Sequence, residues 1–190
     1  VAKLYPISPP KIDLPKFKEQ LKEVLSRANI GLFQLRLKDI SEAEFLRTAE
    51  ELLPICKAAN IPFLINDSAE IALKCGADGV HIGEDDGEFE KARDLLGNKI
   101  IGVSCYNSLE RAIEMADKGA SYVSFGAFFP TTTKIAKSKA EIKTLVEFKR
   151  QRPNVKTSAI GGITQQNCQP LVEAGVDYLC MISGIWNYLP

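Results

Sequence analysis

Histidine occurs once in these 190 residues, at position 81, and tryptophan once, at position 186. A single imidazole leaves little with which to build a nitrogen-rich metal site, and the five cysteines (Cys56, Cys75, Cys105, Cys168, Cys180) contain no C-x-x-C pair. Both shortages argue against zinc. Scattered thiols of this kind suit a reducing compartment, and the expected location is the cytoplasm. No basic stretch leads into an apolar segment with a small-residue cleavage site, so nothing reads as a signal peptide. Surplus charge is also missing. Lys and Arg total 24 against 24 Asp and Glu, which leaves no excess to neutralise a phosphate backbone, and nucleic acid is not an expected partner. The longest strongly apolar run, residues 61–65, falls far short of the roughly 20 needed to cross a bilayer, so no membrane partner is expected either.

What the chain does contain is alternation. Short β-rich runs at 3–7, 32–35, 63–65, 79–82, 100–104, 122–125, 157–160 and 178–182 read as eight strands. Between them lie seven segments of helical period. The clearest spans 42–58, with a stripe of Ala43, Leu46, Ala49, Leu52, Leu53 and Ile55 or Cys56, and with Ser41 and Glu44 as its capping residues. Another starts at Ser108 and Arg111, carries Leu109, Ala112, Ile113 and Ala116, and stops at Gly119.

One phrase recurs three times, as Cys75-Gly-Ala-Asp-Gly-Val, Lys118-Gly-Ala-Ser-Tyr-Val and Ala174-Gly-Val-Asp-Tyr-Leu. Each closes a helix on glycine and enters a strand, so it reads as one αβ turn used repeatedly. Eight such units in one domain, residues 1–190, predict a compact (β/α)₈ barrel with an abbreviated last helix after Gly184. An open doubly wound sheet is the competing α/β fold. The absence of G-x-G-x-x-G after the first strand, where Pro9 and Pro10 stand, weakens it.

In a barrel the chemistry belongs where strands end. Gln34-Leu-Arg-Leu-Lys38 at the second exit puts Gln34, Arg36 and Lys38 on one side and Leu35 and Leu37 on the other, so that two cations point at one locus or are simply solvated. Asn66-Asp67 follows the third strand, and Asp85-Asp86 follows Gly79-Val-His-Ile-Gly at the fourth. Two carboxylates from separate loops suit Mg²⁺, though Asp67 also reads as a cap for the helix at Ser68 and Asp85-Asp86 as a turn. Thr131-Thr132-Thr133-Lys134 after the sixth strand can wrap an anion or be an ordinary polar loop. Gly161-Gly162 and Ile182-Ser183-Gly184 stand where barrels often bind phosphate, and turn geometry also explains them. Ser104 ends the fifth strand and adds a hydroxyl to the rim or a buried backbone bond. His81 within a strand reads as a satisfied structural group, Cys105 has no histidine nearby to activate it, and Trp186 and Tyr188 read as tail packing.

Taken in order, Gln34-Leu-Arg-Leu-Lys38, Ile65-Asn-Asp67, Ala77-Asp-Gly-Val-His-Ile-Gly-Glu-Asp-Asp86, Gly102-Val-Ser104, Pro130-Thr-Thr-Thr-Lys134, Ala159-Ile-Gly-Gly-Ile163 and Met181-Ile-Ser183 resemble the thiamine phosphate synthases over essentially the whole chain. The resemblance implies a transferase that couples a hydroxymethylpyrimidine diphosphate to a thiazole phosphate, with pyrophosphate as second product. It gives the pyrimidine diphosphate to Gln34, Leu35, Arg36, Leu37, Lys38, Asn66, Ser104 and Lys134, and the thiazole phosphate to Thr131, Thr132, Thr133, Gly162, Ile182 and Ser183. It makes Asp67 and Asp86 the ligands of an Mg²⁺ cofactor, and Arg36, Lys38, Ser104 and Lys134 the catalytic groups. The chain departs from the family at Tyr106, often a histidine, at Glu84, usually a glutamine, and in the first strand's exit into Ser8-Pro9-Pro10. Two rivals stand beside this: a thiazole tautomerase-like relative, against which Tyr106 argues, and a noncatalytic phosphate-binding barrel. The sequence leaves a homo-oligomer open.

Overall fold

The computed structural model describes residues 1–27, 29–83, 86–131 and 138–189, with the backbone alone at 86–88. Strands and helices alternate throughout: β1 (Lys3–Pro6), α1 (Leu14–Arg27), β2 (Phe33–Leu35), α2 (Glu42–Ala58), β3 (Phe63–Asn66), α3 (Ala69–Cys75), β4 (Gly79–Ile82) and α4 (Asp86–Leu96) form the first half. The second holds β5 (Ile100–Tyr106), α5 (Leu109–Asp117), β6 (Tyr122–Gly126), α6 (Ile142–Gln151), β7 (Lys156–Ile160), α7 (Gln169–Glu173), β8 (Tyr178–Met181) and α8 (Ser183–Trp186). The last helix is a single turn, as expected, but it starts at Ser183 and contains Gly184.

All strands run parallel, in the order β1-β8-β7-β6-β5-β4-β3-β2. Parallel bridges Leu4↔Ile30 and Ile7↔Gln34 join the two ends of that series. The doubly wound alternative is therefore excluded, because an open sheet has two free edges and this one closes on itself. Period two sorts the buried side chains into two clusters. Phe33, Leu35, Phe63, Ile65, Val80, Ile101, Val103, Val123 and Phe125 face outward against the helices, while Tyr5, Ile7, Leu32, Leu64, Tyr122 and Cys180 fill the barrel.

The recurring αβ turn explains how the strands are held at the N-terminal floor. Gly76, Gly119 and Gly175 have φ of 73°, 92° and 82°, conformations that side-chain-bearing residues rarely adopt, and the next residues, Ala77, Ala120 and Val176, are buried. The fourth position of each phrase then reaches across to the preceding strand. Asp78 Oδ2 accepts from the amide of Phe63 at 2.8 Å, Ser121 Oγ from Ile101 at 3.1 Å and Asp177 Oδ2 from Thr157 at 2.9 Å. Each satisfies a backbone donor in the first two residues of its strand.

Caps form where the sequence puts them: Ser41 accepts from Glu44 N and Ser108 from Arg111 N. Three expectations are corrected. In α2 the buried face is Phe45, Thr48, Ala49, Leu52, Leu53 and Cys56, while Ala43 is exposed, because burying the Phe45 ring outweighs burying a methyl and Thr48 can return its hydroxyl to Glu44 O at 2.9 Å. The cap of α3 is Ser68, which accepts from Ile71 N, and not Asp67. Trp186 does pack, donating Nε1 to Ile7 O at 2.6 Å, but Tyr188 is 74 % exposed. No helix among the described residues is long and apolar enough to cross a membrane.

Candidate active site

The C-terminal mouth of the barrel opens into a cavity of about 190 Å³. Strand β2 delivers its alternate side chains as the period requires: Gln34, Arg36 and Lys38 line the cavity, whereas Leu35 and Leu37 are buried in the outer layer. Any ligand contact from those two leucines must come from their backbone. The β1 exit fixes this segment. Ser8, fully buried, accepts from Arg36 N through Oγ at 2.8 Å, and Lys38 N donates to Pro10 O at 2.9 Å. The Ser8-Pro9-Pro10 departure thus acts as a bracket for the two cations, a role with no signature in sequence because it depends on strand closure.

Asn66 and Asp67 enter from β3. Lys38 Nζ lies 3.0 Å from Asp67 Oδ2, with the side chains 42 % and 53 % exposed, so cation and carboxylate face each other across the rim. Asp39, Asp67 and Tyr106, at φ of 60°, 66° and 55°, stand just past or at the ends of β2, β3 and β5. Left-handed backbone at residues with a Cβ costs about 1–3 kcal/mol each and gathers at functional sites. Ser104, Thr131, Gly162, Ile182 and Ser183 complete the expected residues that reach the cavity. Thr132, Thr133 and Lys134 lie outside the described residues, as does the side chain of Asp86, whose backbone begins α4.

The exits of β6 and β7 abut. Phe128 N and Phe129 N donate to Ile160 O and Gly161 O at 3.1 and 3.0 Å, and Asn167 ties Thr164 N to Gly162 O. Gly161 and Gly162 have φ of 105° and 59°, and a Cβ on them would stand 2.3 Å from Ala127 Cβ and 2.2 Å from Pro130 O. Glycine there permits both the turn and the approach of the two loops, so turn geometry and a phosphate cradle are not exclusive.

Around the base of the mouth lie further polar groups, of which Tyr5 and Tyr122 had no mark in the sequence. His81 is satisfied as expected, its Nδ1 2.8 Å from the Tyr122 hydroxyl and its Nε2 2.9 Å from Ser104 Oγ. Tyr122 is in turn 2.7 Å from Tyr5, to which Gln34 Nε2 donates at 2.7 Å. Burial pushes both phenols up, so both remain protonated at neutral pH. Arg111, expected only at the start of α5, sends Nε to Ser104 O at 3.1 Å and a terminal nitrogen to Gly83 O at 3.2 Å, bracing the exits of β4 and β5. Cys105 is an unsuitable nucleophile, since burial pushes its thiol up to about 12. Among the described residues, no group of three or more His, Cys, Asp or Glu stands together as a metal site.

Comparison with known proteins adds the family. The model of thiamine monophosphate synthase matches residues 4–185. A thiamine-phosphate synthase of Rhodospirillum centenum is 40 % identical over 187 residues, covering 98 % of this chain and 90 % of that one. One of Erythrobacter litoralis is 44 % identical, covering 97 % and 88 %. Among solved structures, a thiamine phosphate pyrophosphorylase from Pyrococcus furiosus superposes with a TM-score of 0.82 at 31 % identity, over 95 % of this chain and 85 % of that one. With the barrel, the ordered strand-exit residues and these relatives in agreement, the chain belongs to the thiamine monophosphate synthase family of transferases.

Proposed function

We propose that the cavity couples a hydroxymethylpyrimidine diphosphate to a thiazole phosphate, giving thiamine phosphate and pyrophosphate. The observation that carries this reading is the meeting of Arg36, Lys38, Asp67 and Ser104 with Gly162 and Ser183 at one mouth. Such a mouth offers a cationic side for a diphosphate and a glycine-rich side for a second phosphate.

The carbon–oxygen bond of the pyrimidine methylene breaks first, and its electron pair leaves with pyrophosphate; the thiazole nitrogen then donates its lone pair to the methylene cation. Charge of about −3 collects on the leaving group, so the residues that matter are those already aimed at it. Arg36 offers a planar fork to phosphate oxygens, and Lys38 a point charge. Lys38 is held by Asp67 through an exposed pair, which is worth at most about 1 kcal/mol, so an arriving diphosphate displaces it at little cost. Ser104 offers a hydroxyl from the β5 exit, and the segment 131–134 would supply further hydroxyls and Lys134. Asp67 is a hard oxygen donor at the cavity wall and fits a divalent ion; with Asp86 it would hold Mg²⁺, which when bound supplies positive charge to the departing pyrophosphate. The five thiols, all free, accord with a cytoplasmic setting.

Pyrophosphate release measured with both substrates and Mg²⁺ tests the proposal. Release dependent on both substrates supports it. Tight binding of either phosphate without release would instead make the barrel a binding protein.

A further inference from the structure

Strands β1 and β8 pair along a parallel ladder whose next rung follows by rule. In such a ladder a residue whose amide donates to the carbonyl of position j receives, at its own carbonyl, the amide of position j+2. Ile7 N donates to Met181 O at 3.0 Å, so the next rung would bring Ser183 N to Ile7 O. That rung does not form. Ile182, with φ of −115° and ψ of −84°, turns the chain out of the sheet, and Ile7 O accepts instead from the indole of Trp186, Nε1 to O at 2.6 Å.

The exchange of donors is fixed by packing. An indole nitrogen carries a hydrogen and accepts nothing, so this bond has one direction only. Trp186 is buried, with its ring centroid 4.8 Å from that of Phe17 on α1, which holds the indole against the β1 exit. Gly184 lets the turn lie close to the β7 exit, since a Cβ there would stand 2.6 Å from Ile163 O. Ile7 is buried too, so its carbonyl needs a donor from the protein. The consequence falls on Ser183. It lines the cavity, and among the described residues no acceptor takes its amide. Ile182 O accepts from both Ile185 N and Trp186 N at 3.0 Å, so the turn closes without using Ser183 N.

We propose that Trp186 is a positioning residue for an anion at the mouth: its indole N–H takes the acceptor that the sheet would give to Ser183, and so keeps the Ser183 amide for a phosphate oxygen. Trp186 stands outside the cavity wall and acts through Ile7 and Ser183. The proposal rests on the reading above for the identity of the ligand, since that reading gives this side of the mouth to the thiazole phosphate. The cationic side is tied down separately. Ser8 N donates to Gln34 O at 2.9 Å and Ser8 Oγ accepts from Arg36 N at 2.8 Å, so Arg36 is held by its own strand and the β1 exit without help from the indole.

Trp186 is the only tryptophan of the chain, so its indole gives a single ¹H–¹⁵N signal. In the ligand-free protein that N–H is expected to be protected from hydrogen exchange and the Ser183 amide to exchange readily. Inorganic phosphate is expected to move the Ser183 amide signal and to leave the indole protected. Trp186→Phe keeps a ring against Phe17 and removes the donor. In W186F the Ser183 amide is expected to turn to Ile7 O, so that its exchange slows about tenfold or more and phosphate binds about tenfold more weakly, the worth of one charge-assisted hydrogen bond. In the coupling reaction the KM of the thiazole phosphate is expected to rise by a similar factor while that of the pyrimidine diphosphate holds. A merely structural anchor would lower the unfolding midpoint but leave the Ser183 amide, the phosphate affinity and both KM values of the folded molecule unchanged, and that result would overturn the proposal. So would equal rises in the two KM values, or a Ser183 amide that phosphate does not move in the parent. Should W186F fail to fold, the parent decides: an indole N–H that exchanges freely, or a protected Ser183 amide, refutes the arrangement. The amide measurements need no substrate, so a lack of pyrophosphate release would sink the substrate reading and leave this test standing.

Discussion

Asp177 and Asp67 carry the same carboxylate at opposite ends of the barrel, and almost everything around them differs. At the floor, Asp177 accepts from Lys149 at 2.8 Å, Lys156 at 3.0 Å, and both the amide and the hydroxyl of Thr157 at 2.9 and 3.1 Å. Burial pushes its carboxyl up, but Lys149, the Thr157 amide and Lys156 outweigh that and hold it below the usual carboxylate range. At the mouth, Asp67 sits on left-handed backbone, half exposed, with Lys38 against one oxygen. One carboxylate is consumed by its own fold. The other is held in readiness by a weak pair and a strained turn, the condition expected of a group that exchanges partners.

Substitution should separate the two ends. Asp67→Ala is expected to lower kcat by roughly 10²-fold or more, as loss of a transition-state charge partner does, with a melting temperature close to that of the parent. Equal turnover by the two proteins would remove Asp67 from the site. Asp177→Ala should do the reverse: about 2 kcal/mol lost in denaturant unfolding, since two lysines and a strand amide lose their acceptor, while kcat per folded molecule holds. Gly102→Ala belongs to both ends, because a Cβ there would stand 1.9 Å from Tyr122 Cζ and the ring must move. An unfolding loss of about 1–3 kcal/mol with a fall in kcat is expected, and a silent substitution would mean that the ring is less confined than the contacts imply.

The pH dependence sharpens the contrast. A carboxyl lowered by folding adds stability that is full above its unfolded value, here 3.8, and is lost as pH falls through the folded value. Urea midpoints taken from pH 6 to pH 3 should therefore fall less steeply in Asp177→Asn than in the parent. The smallest effect concerns the thiols. Burial pushes Cys56, Cys105 and Cys180 up to about 12, so iodoacetamide at pH 7.5 should label Cys168 well before any of them and leave turnover unchanged.

Much of the mouth could be read from the chain because its residues sit at strand exits, where period two assigns sides. Gln34, Arg36 and Lys38 fall inside, and Leu35 and Leu37 outside, for that reason alone. The thrice-used turn was equally legible, since glycine past a helix has few other meanings. Ser8, Tyr5, Tyr122 and Arg111 were not. Their partners lie 28, 117 and 41 residues away along the chain for Ser8–Arg36, Tyr5–Tyr122 and Tyr122–His81, and no local pattern encodes such separations. The shift of the α2 face has the same origin, because which of Phe45 and Ala43 is buried depends on what the sheet offers beneath.

The sequence by itself determined the alternation, the turns and caps, the family, and which strand-exit side chains share a side. These rest on local geometry: a two-residue period, a left-handed glycine, a serine that accepts from an amide three residues on. Only the closed barrel decided that Lys38 meets Asp67, that Ser8 brackets Arg36, and that Gln34 and Ser104 stand at the two ends of one hydrogen-bonded line. A contact between distant strands has no energy until closure brings them together.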